Sequence, residues 1–200
     1  MRSRCLVVSL ASPFRRMPFL TCAMLSLALF AAHCPDASAE GVFTLTSASF
    51  RASGTVDAAQ VFDQDDCKGG NRSPQLTWHD APAGTRSFAV TVFDPDAPGR
   101  GWWHWAVAAI PATVDSLPEN ASSSGFLKKL GAVEARNDFD IDGYGGPCPP
   151  PGKPHRYVVT VYALSSADLR LAQGRPALMF DHEIGTATLG SARMVVSYGR

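Results

Sequence analysis

The sequence lacks a charge excess of either sign: 18 Lys and Arg stand against 18 Asp and Glu in 200 residues. With no basic field, there is no general attraction for nucleic acid or for an anionic membrane surface. Internal repeats and coiled-coil heptads are absent, which excludes solenoids and long helical rods. No serine sits in a strand-turn-helix elbow, so a common hydrolase nucleophile is missing. Helical periodicity is scarce. The length suits one domain with a sizeable core.

What is present begins with a leader pattern. Arg2, Arg4, Arg15 and Arg16 precede the apolar run from Met17 to Ala32, and Ala37-Ser38-Ala39 follows. That order predicts a secretory signal peptide over 1–39, cut before Glu40, with 40–200 as the mature domain. The run is short for a bilayer span, so no stable transmembrane segment is expected after cleavage. Cys34 as a lipidation site is disfavoured by His33 before it, and the long basic stretch suggests a translation start nearer Met17. The expected location is periplasmic or secreted. Cleavage removes Cys5, Cys22 and Cys34, leaving Cys67 and Cys148 with fourteen Lys and Arg against seventeen Asp and Glu. Two cysteines in an oxidising compartment predict a Cys67–Cys148 disulfide.

Beyond the leader the hydrophobic period is two. Strands are expected at 43–46, 75–78, 87–93, 103–110, 157–164 and 194–198, each rich in β-branched or aromatic residues and bounded by turn residues. Helix is expected only at 166–172, capped by Ser166, and around 180–189. The connections are too short for regular crossover helices, which favours a mostly antiparallel sheet. The stretch from Ala112 to Gly152 reads as irregular. Trp78 and Trp105 are expected in the core and His79 at the surface.

Two islands make poor scaffold. Asp94-Pro95-Asp96-Ala97-Pro98 is stiffened by prolines and closely followed by Trp102-Trp103-His104-Trp105, so Asp94 is held rather than merely displayed. The second runs from Tyr144 to Tyr157 and includes Pro149 and Pro150; strand alternation places His155 and Tyr157 on one face and Arg156 on the other. If the strands at 103–110 and 157–164 lie close, then Asp94, His104, His155 and Tyr157 converge. Imidazole and phenol donors suit phosphate oxygens, a carboxylate fixes an imidazole tautomer, and Trp102, Trp103 and the prolines supply an apolar rim. His182 is expected either on a helix surface or beside this pocket. Asp94, His104 and His155 resemble no closed zinc site, so no metal and no cofactor are expected.

These islands, with Asn71-Arg72-Ser73-Pro74-Gln75-Leu76-Thr77-Trp78 and Arg136-Asn137-Asp138-Phe139, resemble the phosphatidylethanolamine-binding protein family, also called Raf-kinase-inhibitor-like proteins, and in particular its exported bacterial branch. The likeness runs from about Phe43 to Gly199. It implies a mostly β fold with short helices, in which a large central antiparallel sheet is flanked by a smaller sheet and C-terminal helical segments, with a small anion pocket at one end. By position in the motifs the pocket residues are Asp94, His104, Pro149, Pro150, His155 and Tyr157. Gly190 to Met194 reads as extra length before the final strand. The resemblance implies non-enzymatic binding of a small anionic or zwitterionic ligand, such as a phosphoethanolamine headgroup. An extracytoplasmic inhibitor or adaptor, for example of a protease, is the alternative, and a hydrolase using Asp94 and His104 is the third reading.

Overall fold

A computed structural model of the chain describes residues 41–50, 54–169 and 171–200; the leader expectation and Cys34 lie outside them. In chain order the elements are β1 (Thr44–Thr46), β2 (Leu76–His79), β3 (Ser87–Asp94), β4 (Trp102–Pro111), β5 (Ser116–Leu117), α1 (Phe126–Leu130), β6 (Val133–Glu134), β7 (His155–Leu164), α2 (Ala177–Ala187) and β8 (Thr188–Tyr198). They form two sheets, ordered β1-β2-β5 and β6-β4-β3-β7-β8, and every neighbouring pair is antiparallel. This is the large sheet flanked by a smaller one that the resemblance implies.

Alternation along the central strands decides the layers. Phe88, Val90 and Val92 of β3 and Tyr157, Val159 and Val161 of β7 enter one core together with Leu76, Trp78 and Leu117 of the small sheet. The intervening Ala89 and Phe93 join Leu164 and the α2 residues Ala177, Phe180 and Ile184 in a second core. Both faces of β3 are therefore covered, and it is buried almost throughout, whereas half-buried strands would read polar on one side. Each large side chain removed from water contributes roughly 1.5–3 kcal/mol, and Trp78, Trp105 and Phe180 are among the most fully enclosed.

Two β-bulges break the β3–β4 ladder. Val92 pairs Trp105 while Phe93 pairs Trp103, so His104 is an extra residue on β4; a second surplus falls at Ala109, between Val107 and Ile110, where φ is +58°. The β3–β4 turn closes tightly at Gly101 (φ +81°), where an added Cβ would lie 2.3 Å from Phe93 Cζ and 2.7 Å from the Asp94 carbonyl oxygen.

Three expectations need correction. Among the described residues of 166–172 none is helical, because the Ser166 hydroxyl bonds the Asp168 carbonyl and amide in a local turn instead of capping a helix. The last strand starts at Thr188 and absorbs Gly190–Met194, which pair with Ala163–Val159 of β7. The stretch from 112 to 152 contains β5, α1 and β6.

Candidate functional site

Asp94 closes β3, the strand between β4 and β7, so the residues expected to converge flank a shared neighbour. Its side chain is buried and fully engaged. Oδ1 accepts the amides of Asp96 (2.8 Å) and Ala97 (3.1 Å), folding the Pro95–Pro98 loop around it, and Oδ2 lies 2.7 Å from His155 Nδ1. The carboxylate can only accept, so Nδ1 carries the hydrogen and Nε2 is the ring nitrogen left to the surroundings. Asp96 clamps the same loop to β7: its Oδ2 accepts Arg156 N (2.8 Å) and Nε (2.9 Å), and its Oδ1 accepts Nη2 (2.7 Å). The Arg156 guanidinium holds the Asp96 carboxyl well below the usual carboxylate range, and Asp96 in turn raises that of Arg156.

The bulge delivers His104 to the core side next to Trp105. Its Nδ1 lies 2.7 Å from the Gly145 carbonyl, an obligate acceptor, so Nδ1 donates. Only 2 % of the residue is exposed. Burial lowers its pKa from 6.5 to about 4, against the opposing pull of the Gly145 and Gly146 carbonyls and of the Asp94 and Asp138 carboxylates. Tyr157 and Phe139 pack edge-on to its ring at 5.1 and 5.4 Å. Burial, and then the Asp94 charge, push the Tyr157 phenol far up, so it remains a neutral donor. Its hydroxyl is buried and has no hydrogen-bond partner among the described residues.

The opposite wall is tied down from several sides. Cys67 and Cys148 are joined in a disulfide. The Pro149 carbonyl accepts Arg200 Nε (2.6 Å), Gly146 N donates to Asn71 Oδ1 (2.8 Å), and Phe62 N donates to the Pro147 carbonyl (3.2 Å). Buried Asn137 shapes the next loop: Oδ1 accepts the amides of Phe139 (2.9 Å) and Ile141 (3.2 Å), and Nδ2 donates to the Gly143 carbonyl (3.0 Å). This fixes Phe139 against Phe62, ring centres 4.2 Å apart.

Between these walls lies a cavity of about 230 Å³. Asp94, Trp102, His104, Pro149, Pro150, His155 and Tyr157 all line it, joined by Ala97, Pro98, Phe139 and Cys148, which sequence reasoning did not single out as pocket residues. Trp103, expected at the rim, points to the opposite face, its ring 4.6 Å from that of Phe93; of the two places expected for His182 the structure has the helix surface, exposed on α2. No Lys or Arg among the described residues lines the cavity. Among the described residues no three His, Cys, Asp or Glu side chains are placed to hold a metal ion, and no helix is long and apolar enough to cross a membrane. The site can thus offer a phenol donor, two imidazoles of fixed tautomer and an apolar lining to a small polar group.

A family model described as phosphatidylethanolamine-binding protein matches residues 46–199. The UPF0098 protein YbcL of Escherichia coli (strain K12) is 42% identical over 159 residues, covering 78% of this chain and 87% of that protein. The UPF0098 protein YbhB of the same organism is 40% identical over 139 residues, covering 69% of this chain and 88% of its own length. The crystal structure of Escherichia coli YbcL, described as a new member of the mammalian family, superposes with a TM-score of 0.76 at 41% identity, covering 81% of this chain and 99% of that one.

Proposed function

The chain belongs to the phosphatidylethanolamine-binding protein family, and on that premise we propose that its cavity holds a small anionic or zwitterionic ligand bearing a phosphate, such as a phosphoethanolamine headgroup. The family is one of ligand-binding, non-catalytic proteins, and this chain shares that general role.

The observation that carries the reading is the buried Tyr157 hydroxyl, without a partner beside a His155 ring whose orientation Asp94 fixes. Buried donors almost always find an acceptor, and an anion oxygen in the cavity supplies one. His155, held by Asp94 through Nδ1, lines the cavity with Nε2 as its remaining hydrogen-bonding atom. The cavity is small beside the roughly 300–1,000 Å³ clefts that enclose drug-sized ligands, so it suits a headgroup better than acyl chains. Calorimetric titration of phosphoethanolamine tests the site. His155→Ala weakens binding by about tenfold or more, the loss of one charge-assisted hydrogen bond, while His79→Ala on the exposed end of β2 leaves it intact. Equal affinity in the two variants rejects the site.

The protein acts outside the cytoplasm after loss of residues 1–39. The Cys67–Cys148 bond supports this, since such bonds persist in oxidising compartments. Intact mass of protein recovered from the cell envelope should correspond to a chain beginning at Glu40; full-length chain confined to the cytoplasm rejects the assignment.

A further inference from the structure

We propose that the cavity selects a phosphomonoester in its singly protonated form, with the ligand donating its own O–H to His104 Nε2. This rests on the anion-site reading above and adds to it which protonation state of which ester is bound.

The argument starts from the His104 tautomer. The Gly145 carbonyl 2.7 Å from Nδ1 cannot donate, so the hydrogen of the neutral ring is on Nδ1 and Nε2 holds a lone pair. Nε2 makes no hydrogen bond among the described residues, and His104 lines the cavity. Rotating the ring would strand the Gly145 carbonyl, so the tautomer is fixed by geometry. The groups facing the ring are the Gly145 and Gly146 carbonyls, the carboxylates of Asp94 and Asp138, and the uncharged rings of Phe139 and Tyr157. The two carboxylates favour an imidazolium, but burial outweighs them and keeps the ring neutral near pH 7.

A ligand entering the cavity therefore meets unlike partners. Tyr157 O–H calls for an acceptor oxygen; His104 Nε2 calls for a donor. Among the described residues no Lys or Arg lines the cavity to offset a second negative charge, and Asp94 already contributes one. A phosphate dianion presents only acceptors and faces the His104 lone pair. A phosphodiester carries a single charge but no O–H, leaving Nε2 without a partner once water is displaced. The monoester monoanion meets every demand: one P–O–H donates to Nε2 and the remaining oxygens accept. An unmade buried hydrogen bond corresponds to roughly tenfold to hundredfold in affinity.

The test compares methyl phosphate with its diester, dimethyl phosphate, neither of which has a hydrogen-bond donor outside the phosphate group, by calorimetry at pH 5.5 and pH 8. The second proton of a phosphomonoester leaves near pH ~6. At pH 5.5 the monoester should bind roughly tenfold to hundredfold more tightly than the diester, and at pH 8 the ratio should collapse. Methylphosphonate, whose P–C bond makes its second proton less acidic, should shift the fall in affinity to higher pH. His104→Gln, whose amide can donate as well as accept, should relieve the discrimination against the diester; should that variant fail to fold, the wild-type ratio decides alone. A ratio that stays the same at the two pH values, whether near one or fixed by ligand size, overturns the proposal while leaving the anion site standing. Failure of every phosphate compound to bind overturns the anion site as well.

Discussion

His155 and Asp94, 61 positions apart in the chain, meet at 2.7 Å where β7 begins and β3 ends. A carboxylate already occupied by two loop amides thus also sets the direction of an imidazole on the neighbouring strand. Asp94→Asn separates these duties, because its carbonyl oxygen can serve one partner set but its NH₂ cannot accept from His155 Nδ1. Phosphoethanolamine affinity is expected to fall about tenfold and unfolding free energy by about 1–3 kcal/mol, as for a buried donor left unmatched. Titration and urea unfolding of the variant check this, and unchanged affinity rejects the orienting role.

His104 makes stability depend on pH. Its folded pKa, about 4, lies below the 6.5 of the free side chain. Between these values the unfolded chain binds a proton that the folded chain refuses, so stability is full above pH 6.5 and declines as pH falls towards 4. The difference corresponds to roughly 3 kcal/mol at most. Urea unfolding at pH 7 and pH 4.5 should show a smaller loss in His104→Gln than in the wild type; identical losses contradict it.

Asp96 acts in a more acidic window. Its folded pKa is depressed chiefly by the Arg156 hydrogen bonds, so its contribution is present above the ordinary carboxylate range and disappears as pH drops below about 4. The Asp96–Arg156 pair is solvent-facing, and its main effect is expected on the 94–98 loop rather than on global stability. Asp96→Asn should raise amide exchange at Asp96 and Ala97 near neutrality and flatten the acid limb of loop protection. An exchange pattern matching the wild type argues against the clamp.

The Cys67–Cys148 link spans 81 positions and holds the wall that includes Pro149 and Pro150. Closing a loop of that length stabilises by about 3–5 kcal/mol in the chain-entropy description. The Cys67→Ser/Cys148→Ser double variant should lose a comparable amount in urea unfolding, with weaker phosphate binding under native conditions. Retention of both properties shows that the remaining ties, such as Arg200 to the Pro149 carbonyl, suffice.

The central strands were legible as near-continuous apolar runs rich in β-branched and aromatic residues, because both cores draw on them, as in β3 and β7. The paired islands were legible because prolines, histidines and an acidic residue are poor scaffold. Other features depend on partners distant in sequence. Phe139 reaches the cavity only because buried Asn137 bonds its own loop, which no local pattern announces. β8 looks short in sequence because its first half exposes Leu189, Ser191 and Arg193 on one side and includes Gly190, a composition indistinguishable from loop. Trp102 and Trp103 cannot share the rim once both lie on β4, because alternation turns neighbouring side chains to opposite faces, and only Trp102 lines the cavity.

The surplus residue in β4 also makes the imidazole detachable. Removing the His104 codon alone would leave Trp103 opposite Phe93 and Trp105 opposite Val92, so this irregularity of the ladder would close while the pairings on either side of it, and the bulge at Ala109, stayed in register. A lineage could therefore shed or regain this ligand-reading group through a three-nucleotide deletion or insertion, without shifting a single core tryptophan out of frame.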